Sequence, residues 1–463
     1  MLLTADLGKG LRPVAAIERL IGHGSTLSLK CDPIRAEKKL VYAGLGVRPK
    51  EAVGTSRRGA FNGTVIALGL TSFFTDISSE MVAAVIPIFL TVQLGFSPAA
   101  FGLFQAAYEL ANALLRMAGG FIADRTRRPK ETAAAGYGLS TLTRVGLLGS
   151  AVAGLPAVPF LLADRLGKGL RTGPRDAMIS LATPERAWGT AFGFHRTLDA
   201  TGALLGPLFA FGILWALPGS FDAVFLLSVG FGMIGFAVIM TWVKNPELAM
   251  THDAAPVRLS VREHWENRGF RRIVLLGGAF GLFSIGDAFA YLVILEASKA
   301  SDVVGLSDIG TKWFPLLFAG TAIGFLITAT PLGRLADTIG RARVWVVGQL
   351  CLAGVYGMLL TKPTSVLAIV VVLALLGLYY GATDGVLPAL AAGVIPEHLR
   401  SGGLALLTTV VALARMTSAL GFGLIWDRVG VDSALIVALC GLVTCVVVVT
   451  GLAVLRDSPT RAE

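Results

Sequence analysis

The sequence predicts an all-α membrane protein: twelve transmembrane helices in two duplicated six-helix halves. Three observations predict it. Only 15% of the 463 residues are charged and 54% are hydrophobic, where a soluble domain carries roughly 25% charged residues. Apolar runs of about 20 residues, each long enough to cross a ~30 Å hydrocarbon core, recur from Phe61 onward. Two signatures also return at nearly one offset. "GGFIADRTRR" at 119–128 is echoed by "LGRLADTIGR" at 332–341, and "TPERAWG" at 183–189 by "IPEHLRSG" at 395–402.

The expected spans are 61–93, 99–123, 131–154, 157–181, 188–213 and 222–243, then 272–297, 309–333, 344–361, 364–393, 400–425 and 432–455. This divides the chain into a basic segment 1–60, a first half 61–243, a central loop 244–271, a second half 272–455 and a tail 456–463. Segment 1–60 has no long apolar run and hence no evident signal peptide; it reads as a cytoplasmic tail or an over-long start. With both termini in the cytoplasm, seventeen Lys and Arg fall in the inner loops and tail, and three (Lys299, Lys362 and Arg428) in the outer loops. That is a strong positive-inside bias. It also explains the pI of 9.7 without nucleic acid. Cys31, Cys351, Cys440 and Cys445 have no metal-ligand spacing, so neither a disulfide nor a metal site is expected.

The charges inside the spans, taken in order, carry the chemistry. The first span sets Ser72, Asp76, Ser79 and Glu80 on one stripe. Like charges four residues apart repel, so one of Asp76 and Glu80 is expected to be protonated or paired, as a proton-coupled carrier requires. The second span holds Glu109 and Arg116, and the third Arg144.

The fourth contains "DRLGKGLRTGPRD" at 164–176. At 100° per residue, Asp164, Lys168, Arg171 and Arg175 fall within about 60°, and Arg165 and Asp176 widen the arc to roughly 140°. A charge at the bilayer centre costs about 2.5–3.5 kcal/mol, so this face must look into the bundle. Gly169 and Gly173 would admit a close neighbour, and Pro174 should kink the span. "GKGLRTG" lacks the order and the strand–helix context of a phosphate loop. Two readings of the run stay open: an internal salt-bridge lattice, or a site for an anionic group, favoured by two positive charges left uncompensated within the run.

The fifth span places His195, Arg196 and Asp199 together, with His195–Asp199 a candidate proton relay or a structural pair; Gly202 and Gly206 suggest close packing. In the second half the isolated charges are Asp287, Lys312, Asp384 and Arg415, with Glu296 at an outer end. Asp384 and Arg415 read as a mutual pair or a solute contact.

Twelve spans, duplicated halves and an Asp-containing basic loop after the second and eighth spans resemble the major facilitator superfamily. Its loop pattern, Gly-x-x-x-Asp-Arg-x-Gly-Arg-Arg, is matched by Gly120, Asp124, Arg125 and Arg128, with Arg127 in place of Gly. The second copy matches at Gly333, Asp337, Gly340 and Arg341, with Thr338 in place of Arg. The resemblance implies a gating role for these loops. "FFTDISSEM", "DRLGKGLRTGPRD" and "AFGFHRTLD" are similar to a prokaryotic branch of that family, which implies residence in a prokaryotic cytoplasmic membrane.

Together these observations predict a monomeric carrier without cofactor or metal, working by alternating access and coupling export of a small organic solute, anionic or amphipathic, to protons. Substrate contacts are expected from Arg144, Arg165, Lys168, Arg171, Arg175 and Arg415, and proton coupling from Asp76, Glu80, Glu109, His195 and Asp199. Movement of a metal chelate or metabolite anion, and lipid flipping, are alternatives. A non-transporting sensor or scaffold would need a larger soluble domain. No nucleophile with a base and an orienting group appears at useful spacing, which argues against an enzyme.

Overall fold

Why the charged fourth span can sit inside an apolar bundle is visible in how the helices meet. The computed structural model describes residues 62–111, 128–184, 187–244, 261–299, 312–395 and 400–457. Segment 1–60, the end of the second span with Arg116, Gly120, Asp124 and Arg125, most of the central loop and the last six residues lie outside them.

The described helices are α1 (Gly63–Ile88), α2 (98–111), α3 (Pro129–Ala153), α4 (Ala157–Ala182), α5 (Trp188–Ala216) and α6 (Phe221–Trp242). A short α7 (Val261–Glu266) leads to α8 (Arg268–Gly281), α9 (Asp287–Lys299), α10 (Phe314–Ile339), α11 (Arg341–Leu360), α12 (Val366–Thr383), α13 (Val386–Ala392), α14 (Arg400–Val429) and α15 (Val431–Asp457). Caps fix several starts. Asn62 accepts from the Val65 amide at 2.8 Å, and Asn267 accepts from the amides of Gly269 and Phe270, each satisfying amides that have no partner within the helix.

Among the described residues, eight helical stretches are long and apolar enough to cross a membrane: α1 with its extension to Gln93, α5, α6, α10, α11, α12 with α13, α14 and α15. The other four expected spans correspond to α2, which runs beyond the described residues, α3 and α4, which are too polar, and the seventh, which is interrupted. That seventh span divides into α8 and α9 around 282–286, and the tenth into α12 and α13 at Asp384–Gly385. α4 runs unbroken through Pro174.

Packing repeats between the halves. α1 packs on α5 and α6, and α3 on α4 and α6; equivalently, α8 packs on α14 and α15, and α11 on α12 and α15. α10 then meets α1 and α5 across the halves, and aromatic rings also meet across them, Phe101 edge-on to Phe289 at 5.2 Å and Phe211 tilted against Trp313 at 5.3 Å. The polarity is inverted relative to a soluble protein. Leu367 is 73% exposed, whereas Arg144 is 1% exposed, the arrangement expected when lipid is the outer solvent.

α4 reaches α3 through Gly136 and Gly167. A Cβ on Gly136 would lie 2.7 Å from the Gly167 oxygen, and one on Gly167 would lie 2.7 Å from the Gly136 oxygen and collide with Ser140 Oγ. The contact is therefore backbone on backbone, and it delivers Arg171 to the centre of the first half. Gly167→Val should lower thermal stability in detergent by about 1–3 kcal/mol, the usual cost of overpacking; a melting temperature equal to wild type would show that the two helices can separate freely. Gly202 and Gly206 do pack closely, against Phe73 and against Ile77 and Met81 of α1.

Candidate functional site

The carboxylates of α1 and the cations of α4 face each other and form a ladder. Arg171 Nη2 lies 3.3 Å from Asp76 Oδ1, and its guanidinium sits 4.8 Å over the Tyr137 ring. Lys168 Nζ lies 3.9 Å from Glu80 Oε1. Below them, Asp164 receives Arg165 at 2.8 Å and Arg144 at 3.4 Å; Arg144 also donates to Ser79 Oγ at 2.8 Å, and Arg165 stacks 4.5 Å over Tyr108. At the other end Arg175 pairs with Asp176 at 2.9 Å and Asp199 at 3.7 Å. Arg144, Asp164, Arg165, Arg171 and Asp76 are all buried.

This geometry changes the charge balance read from the run alone. Asp76 and Glu80 supply the two negative charges that the run lacks, while Asp164 turns to Arg144 and Arg165 instead of Lys168. Asp176 pairs with its neighbour Arg175 instead of Arg165. Arg175 and His195 meet on Ser72, whose Oγ is 3.4 Å from Arg175 Nη1 and 2.9 Å from His195 Nε2. The link from His195 to Asp199 thus passes through Ser72 and Arg175. Asp199 also receives the exposed Arg196 at 3.4 Å. Glu109 is half-buried on α2, with no ion pair among the described residues.

A cavity of about 210 Å³ opens between the halves beside this ladder. α1 and α5 give it Glu80, Ala203 and Pro207; α9, α10 and α12 give it Asp287, Phe318, Thr321, Ala322, Phe325 and Tyr380; and Asp384 comes from the break after α12. Both helix breaks of the second half therefore place a carboxylate on the cavity wall. Of the residues expected to bind solute or couple protons, Glu80 is on that wall, and so is Asp384, which the sequence offered as a solute contact or a partner of Arg415. Arg415 stands close by, donating to Tyr379 Oη at 3.4 Å. Asp287 and Asp384 were legible as isolated charges, but nothing in the sequence set Phe318, Thr321 or Phe325 apart from other apolar helix residues.

The sequence profile of the Major Facilitator Superfamily matches residues 68–311 and 279–463. The chain belongs to the major facilitator superfamily. It is 27% identical over 368 residues to an MFS-type transporter of Methanocaldococcus jannaschii, covering 78% of this chain and 88% of that one. It is 25% identical over 339 residues to the multi-drug resistance efflux pump PmrA of Streptococcus pneumoniae, covering 70% and 80%. Its fold is similar to that of the nucleoside transporter NupG, with a TM-score of 0.73 at 11% identity, covering 84% of this chain and 99% of that one. The protein is thus a multi-pass membrane transporter of the superfamily.

The superfamily loops are seen only in part. Arg128 stands just before α3, while Gly120, Asp124 and Arg125 lie outside the described residues. In the second copy, Gly333 is half-buried on α10, Gly340 turns the chain into α11 with φ +105°, and Asp337 pairs with Arg341 at 3.0 Å. Arg341 also donates to the Ala389 carbonyl at 3.1 Å, tying this loop to α13.

Proposed function

We propose that this transporter exports a small organic solute across a prokaryotic cytoplasmic membrane in exchange for protons, with both termini in the cytoplasm. Alternating exposure of the cavity between the halves is the means. The observation that carries the reading is the position of Glu80, which belongs at once to the cavity wall and, through Lys168, to the buried ladder. Whatever occupies the cavity thereby acts on the charge balance of α4. Export is favoured by the likeness to a relative described as an efflux pump.

The proton step belongs to Asp76 and Asp199. Asp76 holds Arg171 and Asp199 holds Arg175, so a proton on either carboxyl cancels its charge and frees a cation of α4. Proton arrival on Asp76 releases Arg171, and proton loss recaptures it; Ser72 and His195 lead from this pair toward Arg175. Arg144, Arg165 and Arg175 then hold carboxylates in place, and Lys168 reaches Glu80 on the cavity wall.

Purified protein in vesicles loaded with a pH-sensitive dye should move protons when a transported solute is added, and an imposed pH gradient should drive that solute. A panel of solutes that move at the same rate with and without the gradient would end the proton-coupled reading.

A further inference from the structure

We infer that the cavity between the halves takes an organic cation, an amine or quaternary ammonium carrying a compact apolar or aromatic group. The inference rests on the transport reading above and names its substrate class.

Three features of the wall carry it. First, its acidic and basic side chains are, apart from the Tyr380 phenol, all carboxylates: Glu80, Asp287 and Asp384. They come from different elements, α1, the start of α9 and the break after α12, so they surround the space instead of forming one patch. Among the described residues no group of three such side chains converges as on a metal ion, and a charge spread over an organic ammonium suits dispersed carboxylates.

Second, Asp287 has no cation within ion-pair distance among the described residues. Its carboxylate accepts from the adjacent amide of Ala288 at 2.9 Å. The pair between Glu80 and Lys168 is loose, at 3.9 Å with both side chains about one-third exposed. Such a water-accessible pair is weak, and an incoming ammonium can replace Lys168 on Glu80. Arg415 stays engaged with the Tyr379 hydroxyl.

Third, the remaining wall is Phe318, Phe325 and Tyr380 with Ala203, Ala322, Pro207 and the hydroxyl-bearing Thr321. Aromatic faces attract cations, and apolar contacts select for the organic group. At about 210 Å³ the space is below the ~300–1,000 Å³ of ordinary ligand pockets, which favours a compact solute.

The sign of the charge is tested with two probes of similar size, phenyltrimethylammonium and benzenesulfonate, by equilibrium dialysis against the purified full-length protein in detergent. Wild type should bind the ammonium more tightly than the sulfonate. Asp287→Asn and Glu80→Gln should each weaken ammonium binding about tenfold or more, the scale of losing one partner of a desolvated charge pair. Lys168→Gln should tighten it, because a competing cation has gone; a merely structural lysine would not act in that direction. Glu296→Gln, an exposed position on the same α9 helix, should leave binding unchanged. Thermal melting of each variant separates lost binding from lost fold.

Tighter binding of benzenesulfonate, no ammonium binding, or ammonium binding indifferent to both Asp287→Asn and Glu80→Gln would overturn the inference. Binding at equilibrium needs no proton gradient. Such a failure alongside solute-driven proton movement in vesicles would therefore remove the cation and leave the transport reading intact.

Discussion

Asp164→Leu should remove most of the folded protein from the membrane. Among the described residues Asp164 is the only carboxylate in ion-pair contact with Arg144 and Arg165, and both arginines are buried. Arg144 Nε and Nη1 and Arg165 Nε already have no acceptor among the described residues, so the surrounding groups cannot absorb the loss. Removing one partner of a buried pair costs about 3–5 kcal/mol, because a charge is left uncompensated. Against a total stability of about 5–15 kcal/mol, that is about a fifth or more.

The effect should appear as a sharp fall in monodisperse protein after detergent extraction and in the melting temperature of what remains. Arg144→Leu together with Asp164→Leu should recover part of the loss, since replacing a buried pair with apolar groups is far milder than breaking it. An Asp164→Leu protein that melts within a degree or two of wild type would show that water or lipid headgroups reach the two arginines, and would remove the buried lattice as an element of stability.

The same lattice shows what the sequence could and could not reveal. The helical membrane class, the duplicated halves and the inward direction of the α4 charges follow from hydropathy, a repeat offset and helical periodicity, all of which are one-dimensional signals. Asp164 could be seen to need a cation. That the cation is Arg144 on α3, instead of Lys168 one turn away, depends on the Gly136–Gly167 contact that fixes how α3 and α4 cross. The excess of positive charge in 164–176 was a property of the segment alone, and α1 cancels it.

The breaks at 282–286 and 384–385 had a local signal that periodicity overrode: Gly286–Asp287 and Asp384–Gly385 interrupt otherwise apolar runs, and such pairs mark turns. The cavity wall had none. Phe318 and Phe325 sit on α10, where most residues face outward, and their inward position arises only because α10 crosses α1 and α5.

Asp76→Asn should uncouple transport from protons while leaving the carrier able to exchange solute. Asparagine keeps the shape of the side chain and can still accept a hydrogen bond, but it neither ionises nor carries the exchangeable proton. Arg171 would lose its carboxylate at 3.3 Å and keep the Tyr137 face at 4.8 Å, so the fold should survive better than with Asp164→Leu. Asp199 keeps Arg175, so the α5 end of the ladder stays closed.

In vesicles, accumulation driven by a pH gradient should fall to the level of protein-free liposomes. Exchange of labelled for unlabelled solute should stay within about threefold of wild type, under 1 kcal/mol in barrier height. Asp76→Glu should restore part of the gradient-driven movement, because it returns the ionisable group to the same α1 face. Asp76→Asn vesicles that still accumulate solute in response to the gradient would place the coupling proton elsewhere, with Glu80 on the cavity wall as the next group to neutralise. Loss of exchange and of driven movement together, in protein that melts normally, would instead mean that Arg171 must be held by a charged Asp76 for the halves to move at all.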